Sequence, residues 1–104
     1  MKALVLPGVK EFEIQDLATP EILPNEVLIN TAYAGVCGTD HDLYAGRPGS
    51  AAAVPPIVLG HENSGVVAAI GAEVTNVKVG DRVAVDPNIY CGQCEYCLTQ
   101  RPEL

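Results

Sequence analysis

Glu26-Val27-Leu28-Ile29-Asn30-Thr31-Ala32-Tyr33-Ala34 and Ser64-Gly65-Val66-Val67-Ala68-Ala69-Ile70 are the two stretches whose reading decides the fold. In the first, Val27, Ile29, Thr31 and Tyr33 alternate with Leu28, Asn30 and Ala32, the period of two expected of a strand. The second is a short apolar run closed by Gly71. Three further stretches read the same way. Lys2 to Leu6 stops at Pro7-Gly8, and Arg82 to Val85 lies between Gly80-Asp81 and Asp86-Pro87. Glu11 to Leu17 reads as a half-buried strand with Phe12 and Ile14 on one face and Glu13 and Asp16 flanking. The helix signal is confined to Thr39–Ala45, with Thr39 as predicted N-cap, Asp40 and Asp42 in the first turn and Gly46 as the stop. A mainly β barrel or sandwich follows, with irregular segments at 35–62 and 86–104 that hold every candidate for chemistry.

Composition agrees with that reading. The chain has 104 residues, enough for one domain. Thirteen Val and twelve Ala against one Phe and no Trp, with ten Gly and eight Pro, favour strands and turns over helices. The formal charge of −7, thirteen acids against six bases, argues against nucleic acid or an anionic membrane as partner. No run approaches the ~18 apolar residues of a membrane span. The opening apolar run Ala3 to Leu6 is shorter than the core of a signal peptide. A cytoplasmic location is therefore expected, where thiols stay reduced.

In such a compartment, Cys91-Gly-Gln-Cys94-Glu-Tyr-Cys97 reads as a metal loop rather than as disulfides. Three thiolates at this spacing converge on one ion, with Gly92 relieving the tight wrap. Zinc suits them and wants a fourth ligand. A [4Fe–4S] cluster is the rival, but its motif continues to a cysteine before a proline, and here Arg101 precedes Pro102. Three unligated surface thiols are the third reading. The second signal is Gly60-His61-Glu62-Asn63-Ser64-Gly65, preceded upstream by Gly35-Val36-Cys37-Gly38-Thr39-Asp40. A cysteine, a histidine and carboxylates brought together by folding make an open zinc site with room for water or substrate. Taken singly, His61 is more often a hydrogen-bonded residue at a strand end, and Cys37 more often a small buried hydrophobe.

These motifs occur in one order: Cys37-Gly-Thr39-Asp40, Gly60-His61-Glu62-x-x-Gly65, Gly71, Val79-Gly80-Asp81-Arg82-Val83 and Cys91-Gly-x-Cys94-x-x-Cys97. That series resembles the N-terminal catalytic domain of the zinc-containing medium-chain dehydrogenases, which include alcohol, sorbitol (polyol) and threonine dehydrogenases. The resemblance extends over essentially the whole chain, and Gly60 to Val74 looks like the family's zinc signature. It implies a GroES-like, partly open β-barrel with short helical turns and irregular zinc-binding loops.

By resemblance, Cys37 and His61 are ligands of a catalytic zinc, and Glu62 lies close enough to approach it when water exchanges for substrate. Asp40 is implied as a partner fixing the His61 imidazole. Thr39 is implied to accept a hydrogen bond from the substrate alcohol and pass its proton outward. Cys91, Cys94 and Cys97 look like three of the four ligands of a structural zinc, with the fourth falling just after Leu104. The implied reaction is NAD- or NADP-dependent oxidation of an alcohol or polyol to an aldehyde or ketone by hydride transfer. No Gly-x-Gly-x-x-Gly is present to hold the dinucleotide. Residues 1–104 are therefore expected to be a domain cut from a longer enzyme, inactive alone and lacking its nucleotide-binding domain. The longer parent is expected to form a homodimer or homotetramer.

Three departures from the family pattern stand out. Asp42 occupies the place where many members carry a relay histidine, with His41 one residue earlier. Gly38 after the ligand cysteine resembles the polyol and threonine branches, and Asn88-Ile89-Tyr90 before Cys91 the polyol branch, more than the simple-alcohol branch. Tyr33, Tyr44 and Arg82 read as packing and surface charge. Two other function classes fit parts of the chain. One is a stand-alone GroES-like interaction or scaffold module, which has no need of Cys37, Thr39, Asp40, His61 and Glu62. The other is a thiol switch built on Cys91, Cys94 and Cys97 alone.

Overall fold

The computed structural model describes residues 1–48 and 53–101, so the sequence readings that touch Pro102 and Leu104 lie outside the described residues. Its framework is two three-stranded antiparallel sheets. One runs β2–β1–β4, with β1 (Lys2–Leu6) between β2 (Glu13–Asp16) and β4 (Ile57–Val58). The other runs β3–β5–β6, with β5 (Asn63–Ile70) between β3 (Val27–Ala34) and β6 (Arg82–Ala84). Among the described residues two short helices accompany the sheets, α1 (Gly38–Tyr44) and α2 (Glu95–Leu98). The sheets stay open, which is the partly open β-barrel arrangement the sequence predicts.

The five predicted strands form within two residues of their expected ends. Three details differ for physical reasons. Strand β2 is an outer strand, and Phe12 and Ile14 remain 51% and 65% exposed, so that edge is not half-buried; Phe12 instead stacks on Tyr44, ring centroids 4.8 Å apart. The irregular segments contain β4 and α2, of two and four residues, too short to leave a periodic pattern. The N-cap of α1 is Cys37, not Thr39. Asp40, three residues on, reaches back so that its Oδ2 accepts the Cys37 backbone N–H at 2.9 Å, which starts the helix two residues early and leaves Thr39 inside it.

The fully buried side chains are Leu6 from the first sheet and Val67 from the second, with Val5 nearly so. The radius of gyration is 15.7 Å, against about 13 Å for a compact chain of this size. A small core and an extended outline go together.

The β3–β5 pair does the positioning. Its register sets Ala34 opposite Asn63 and Thr31 opposite Gly65, with irregularities at Leu28/Ile29 and Thr31/Tyr33. Gly65 is buried against the backbone of β3: a Cβ there would lie under 3.0 Å from the Asn30 carbonyl and from Ile29 Cγ2. On the far side, Asp81 ties the turn before β6. Its carboxylate accepts the Lys78 backbone N–H at 3.0 Å and pairs with Lys78 Nζ at 2.9 Å, while its carbonyl accepts the Val67 N–H. The Lys78 bonds hold the Asp81 carboxyl below its ordinary value. This gives the Val79-Gly80-Asp81-Arg82-Val83 motif a structural task.

Candidate metal centres

Because β3 and β5 are antiparallel and Ala34 pairs with Asn63, the chain leaving β3 and the chain entering β5 lie side by side. Gly35-Val36-Cys37 departs on one, and His61-Glu62 arrives on the other. One further bond extends the ladder past the sheet, from the Gly35 N–H to the Glu62 carbonyl at 2.7 Å. Cys37 Sγ, a His61 ring nitrogen and a Glu62 carboxylate oxygen consequently lie within 4.8 Å of one another. That span is about twice a zinc–ligand bond, and sulfur, nitrogen and oxygen are the donors zinc takes. Cys37 and His61 are half-buried and Glu62 is exposed, so the cluster opens to one side.

Two polar groups from α1 belong with this cluster. Asp40, 9% exposed, spends Oδ2 on the Cys37 N–H and so fixes the ligand cysteine through its backbone. The sequence implied a bond from Asp40 to the His61 ring; among the described residues the His61 side chain makes no hydrogen bond. Thr39 Oγ1 is buried without a partner among the described residues. Such a hydroxyl costs about 1–3 kcal/mol unless something is meant to bind it. His41 and Asp42, at the departure from the family pattern, are turned outward: Asp42 Oδ1 lies 3.4 Å from Arg47 Nη1 and 3.7 Å from His41 Nδ1, with His41 well exposed.

The second cluster hangs from the end of β6. Asp86 shapes the loop that leads to it, accepting from the Asn88 N–H at 3.0 Å, the Asn88 side-chain amide at 2.7 Å and the Tyr90 hydroxyl at 2.9 Å. These bonds lower the Asp86 carboxyl. The sequence marks Asp86-Pro87 only as a strand stop; the carboxylate's three bonds make it the organiser of the loop as well. Gly92 then adopts φ +73°, the left-handed region the tight wrap was expected to need. Cys97 Sγ lies 3.7 Å from Cys91 Sγ and 3.5 Å from Cys94 Sγ. Sulfurs around one tetrahedral zinc, with bonds of about 2.3 Å, sit about 3.8 Å apart, so the three thiols fit the ion. The Gln93 and Cys94 backbone N–H groups point at Cys91 Sγ and pull its thiol down to about 7, while contact with Cys94 pushes Cys97 up. Amides aimed at a sulfur favour the thiolate, the form that binds metal.

Tyr44 packs against Phe12 and Arg82 is exposed on β6, as their residue types suggested; Tyr33 is 79% exposed.

An open two-sheet β fold with two thiol-containing side-chain clusters able to hold a metal defines a class, and sequence comparison gives it a family. Residues 23–104 match the alcohol dehydrogenase GroES-like domain family, to which the chain belongs. It is 45% identical over 105 residues to the sorbitol dehydrogenase of Bacillus subtilis (strain 168), a match covering all of this chain and 30% of that protein. A cobalt- and zinc-bound thermostable alcohol dehydrogenase from Pyrobaculum aerophilum superposes with a TM-score of 0.84 at 39% identity, over 99% of this chain and 31% of that one. An NAD-dependent alcohol dehydrogenase superposes equally well, TM-score 0.84 at 36% identity, over 100% of this chain and 31% of that one. The chain spans about 30% of the length of the curated relatives it matches. No helix among the described residues is long and apolar enough to cross a membrane.

Proposed function

We propose that residues 1–104 form the catalytic-metal domain of a zinc-dependent polyol or alcohol dehydrogenase, whose separate nucleotide-binding domain holds NAD or NADP. One observation carries the reading: the Cys37, His61 and Glu62 donor atoms gather within 4.8 Å, on a helix start that buries the unpartnered Thr39 hydroxyl. Likeness to a sorbitol dehydrogenase supports the polyol branch and disfavours a scaffold module, which has no use for such a set. Similarity to a cobalt- and zinc-bound enzyme and to an NAD-dependent one supports both cofactors.

In this reading Cys37, His61 and Glu62 hold the catalytic zinc, and Cys91, Cys94 and Cys97 hold a structural one. The catalytic zinc, when bound, supplies a Lewis acid that lowers the pKa of the substrate hydroxyl. Asp40 keeps Cys37 in place by its bond to the backbone N–H. Glu62, exposed at the rim, offers a carboxylate that engages or withdraws as substrate enters. Thr39 Oγ1 accepts the substrate hydroxyl proton as a hydrogen bond and orients the carbinol carbon for hydride transfer. His41 and Asp42, both solvent-facing, carry that proton onward. A cytoplasmic setting keeps both thiol clusters reduced, and the parent works as a homodimer or homotetramer.

The test is the full-length gene product, assayed for metal content and for polyol-dependent reduction of NAD and NADP. Two zinc ions per subunit, with the activity and one zinc lost together in Cys37→Ser, are expected. A protein that binds no metal at Cys37 and oxidises no polyol or alcohol sinks the proposal.

A further inference from the structure

Gly35 touches Glu62 twice. Its N–H donates to the Glu62 carbonyl at 2.7 Å, and a Cβ built on it would meet Glu62 Oε2 at 2.6 Å and Glu62 Cβ at 3.1 Å. The first distance is closer than real Cβ contacts come. The backbone of Gly35 does not lie in the left-handed region, so any L-residue can adopt it. What stands in the way of a side chain is Glu62, its carboxylate oxygen most tightly and its Cβ less so. We propose that Gly35 is a positioning residue for Glu62: its missing side chain gives the carboxylate the place from which it joins Cys37 and His61. The inference rests on the proposed role of that trio.

The physical content is a coupling. With a methyl at 35, Glu62 Oε2 must shift, which draws the carboxylate from its place beside Cys37 and His61. With Glu62 truncated to alanine, the same methyl meets only a Cβ at 3.1 Å, a gap that neighbours open by a few tenths of an ångström. Gly35→Ala therefore matters where Glu62 is present and hardly otherwise, a non-additivity that a double-mutant cycle reads.

The experiment uses the full-length protein loaded with cobalt(II), in four forms: wild type, Gly35→Ala, Glu62→Ala and the double variant. Two signals are followed, both restricted to the share of the cobalt–thiolate absorption that Cys37→Ser removes. One is the shape of the ligand-field band, the other the rate of cobalt loss to a chelator. Gly35→Ala should shift the band and speed cobalt loss by about 10–100-fold, the usual effect of losing a residue that supports a metal ligand. In the Glu62→Ala background the same change should leave the band alone and alter the rate by less than about twofold. Equal effects in the two backgrounds, or none in either, overturn the proposal. The same cycle read as melting temperatures of metal-free protein decides the contact without the ion. A wild type with no Cys37-dependent band refutes the metal reading itself, while the melting cycle still shows whether Gly35 makes room for Glu62.

Discussion

Thr39→Val replaces the buried, unpartnered hydroxyl of Thr39 with a methyl of nearly the same shape. A hydroxyl with no hydrogen-bond partner loses about 1–3 kcal/mol of hydration on burial. Thr and Val have similar helix propensities, so the change costs little at this site inside α1. The variant should therefore be more stable, by about 1 kcal/mol or somewhat more, which raises the melting temperature of the longer, active protein by about 2 °C. Activity should move the other way. If Thr39 Oγ1 holds the proton leaving the substrate, removing it lowers kcat by about 100-fold or more, the lower end of what a positioned proton acceptor contributes. Metal content should not change. Thr39→Ser keeps the hydroxyl and should keep most of the activity, at a cost of about 0.8 kcal/mol for the lost methyl. The assay pairs calorimetry of the metal-loaded protein with steady-state turnover of a polyol. Wild-type turnover in Thr39→Val would falsify the assigned role. A clear loss of stability in Thr39→Val would show instead that the hydroxyl has a structural partner.

Gly65→Ala sets a methyl against the Asn30 carbonyl, which only strand separation relieves; a loss of about 3 kcal/mol is expected in chemical denaturation, against at most a small gain for Gly38→Ala, where the added methyl meets nothing within 4 Å. An unchanged midpoint for Gly65→Ala refutes the close approach of β3 and β5. Cys94→Ser should remove one zinc per subunit, measured by mass spectrometry of eluted metal, and leave the Cys37-dependent ion in place. Loss of both metals would show that the two clusters are not independent. The Asp86 carboxyl is lowered by its bonds to Asn88 and Tyr90, so its contribution is present above its unfolded value and fades as pH falls through the lower, folded one. The difference in loop stability between wild type and Asp86→Ala, followed by amide exchange at Asn88, should accordingly shrink on acidification below about pH 4. A difference that is independent of pH across that range refutes the assignment.

The strands were legible because Val27–Ala34 and Ser64–Ile70 carry their pattern locally and end on Gly or Pro. What was not legible depends on partners. The exposure of Phe12 and Ile14 follows from β2 lying at a sheet edge, a fact of topology that no alternation encodes. In β3 the register shifts at Leu28/Ile29 and Thr31/Tyr33 interrupt the pairing, and residues from Asn30 onward are exposed on both faces. Thr39 looked like a cap because threonine is a good one, but the Asp40 carboxylate reaches the Cys37 N–H and moves the helix start to the cysteine. The Cys91–Cys97 loop could be read from spacing, since its three donors come from one short segment. The meeting of Cys37 with His61 could not be read from spacing: the residue types offer an open zinc site beside a blander reading of each, and the family resemblance implies it.

The reason lies in the row of the second sheet where three chain segments leave together. Ala34 pairs with Asn63, and the Val85 N–H donates to the Asn63 carbonyl, so the ends of β3 and β6 and the start of β5 share one edge. From that edge, β3 and β5 each deliver donors to the Cys37–His61–Glu62 cluster, whose spacing is therefore fixed by the strand ladder. The loop after β6 delivers Cys91, Cys94 and Cys97 with no second strand to hold them. The two clusters accordingly differ in how metal couples to folding. The first is preorganised by the sheet, and losing its ion should leave the fold nearly intact. The second, on the proposed reading, depends more on its ion, and losing that ion should loosen the loop from Asp86 onward.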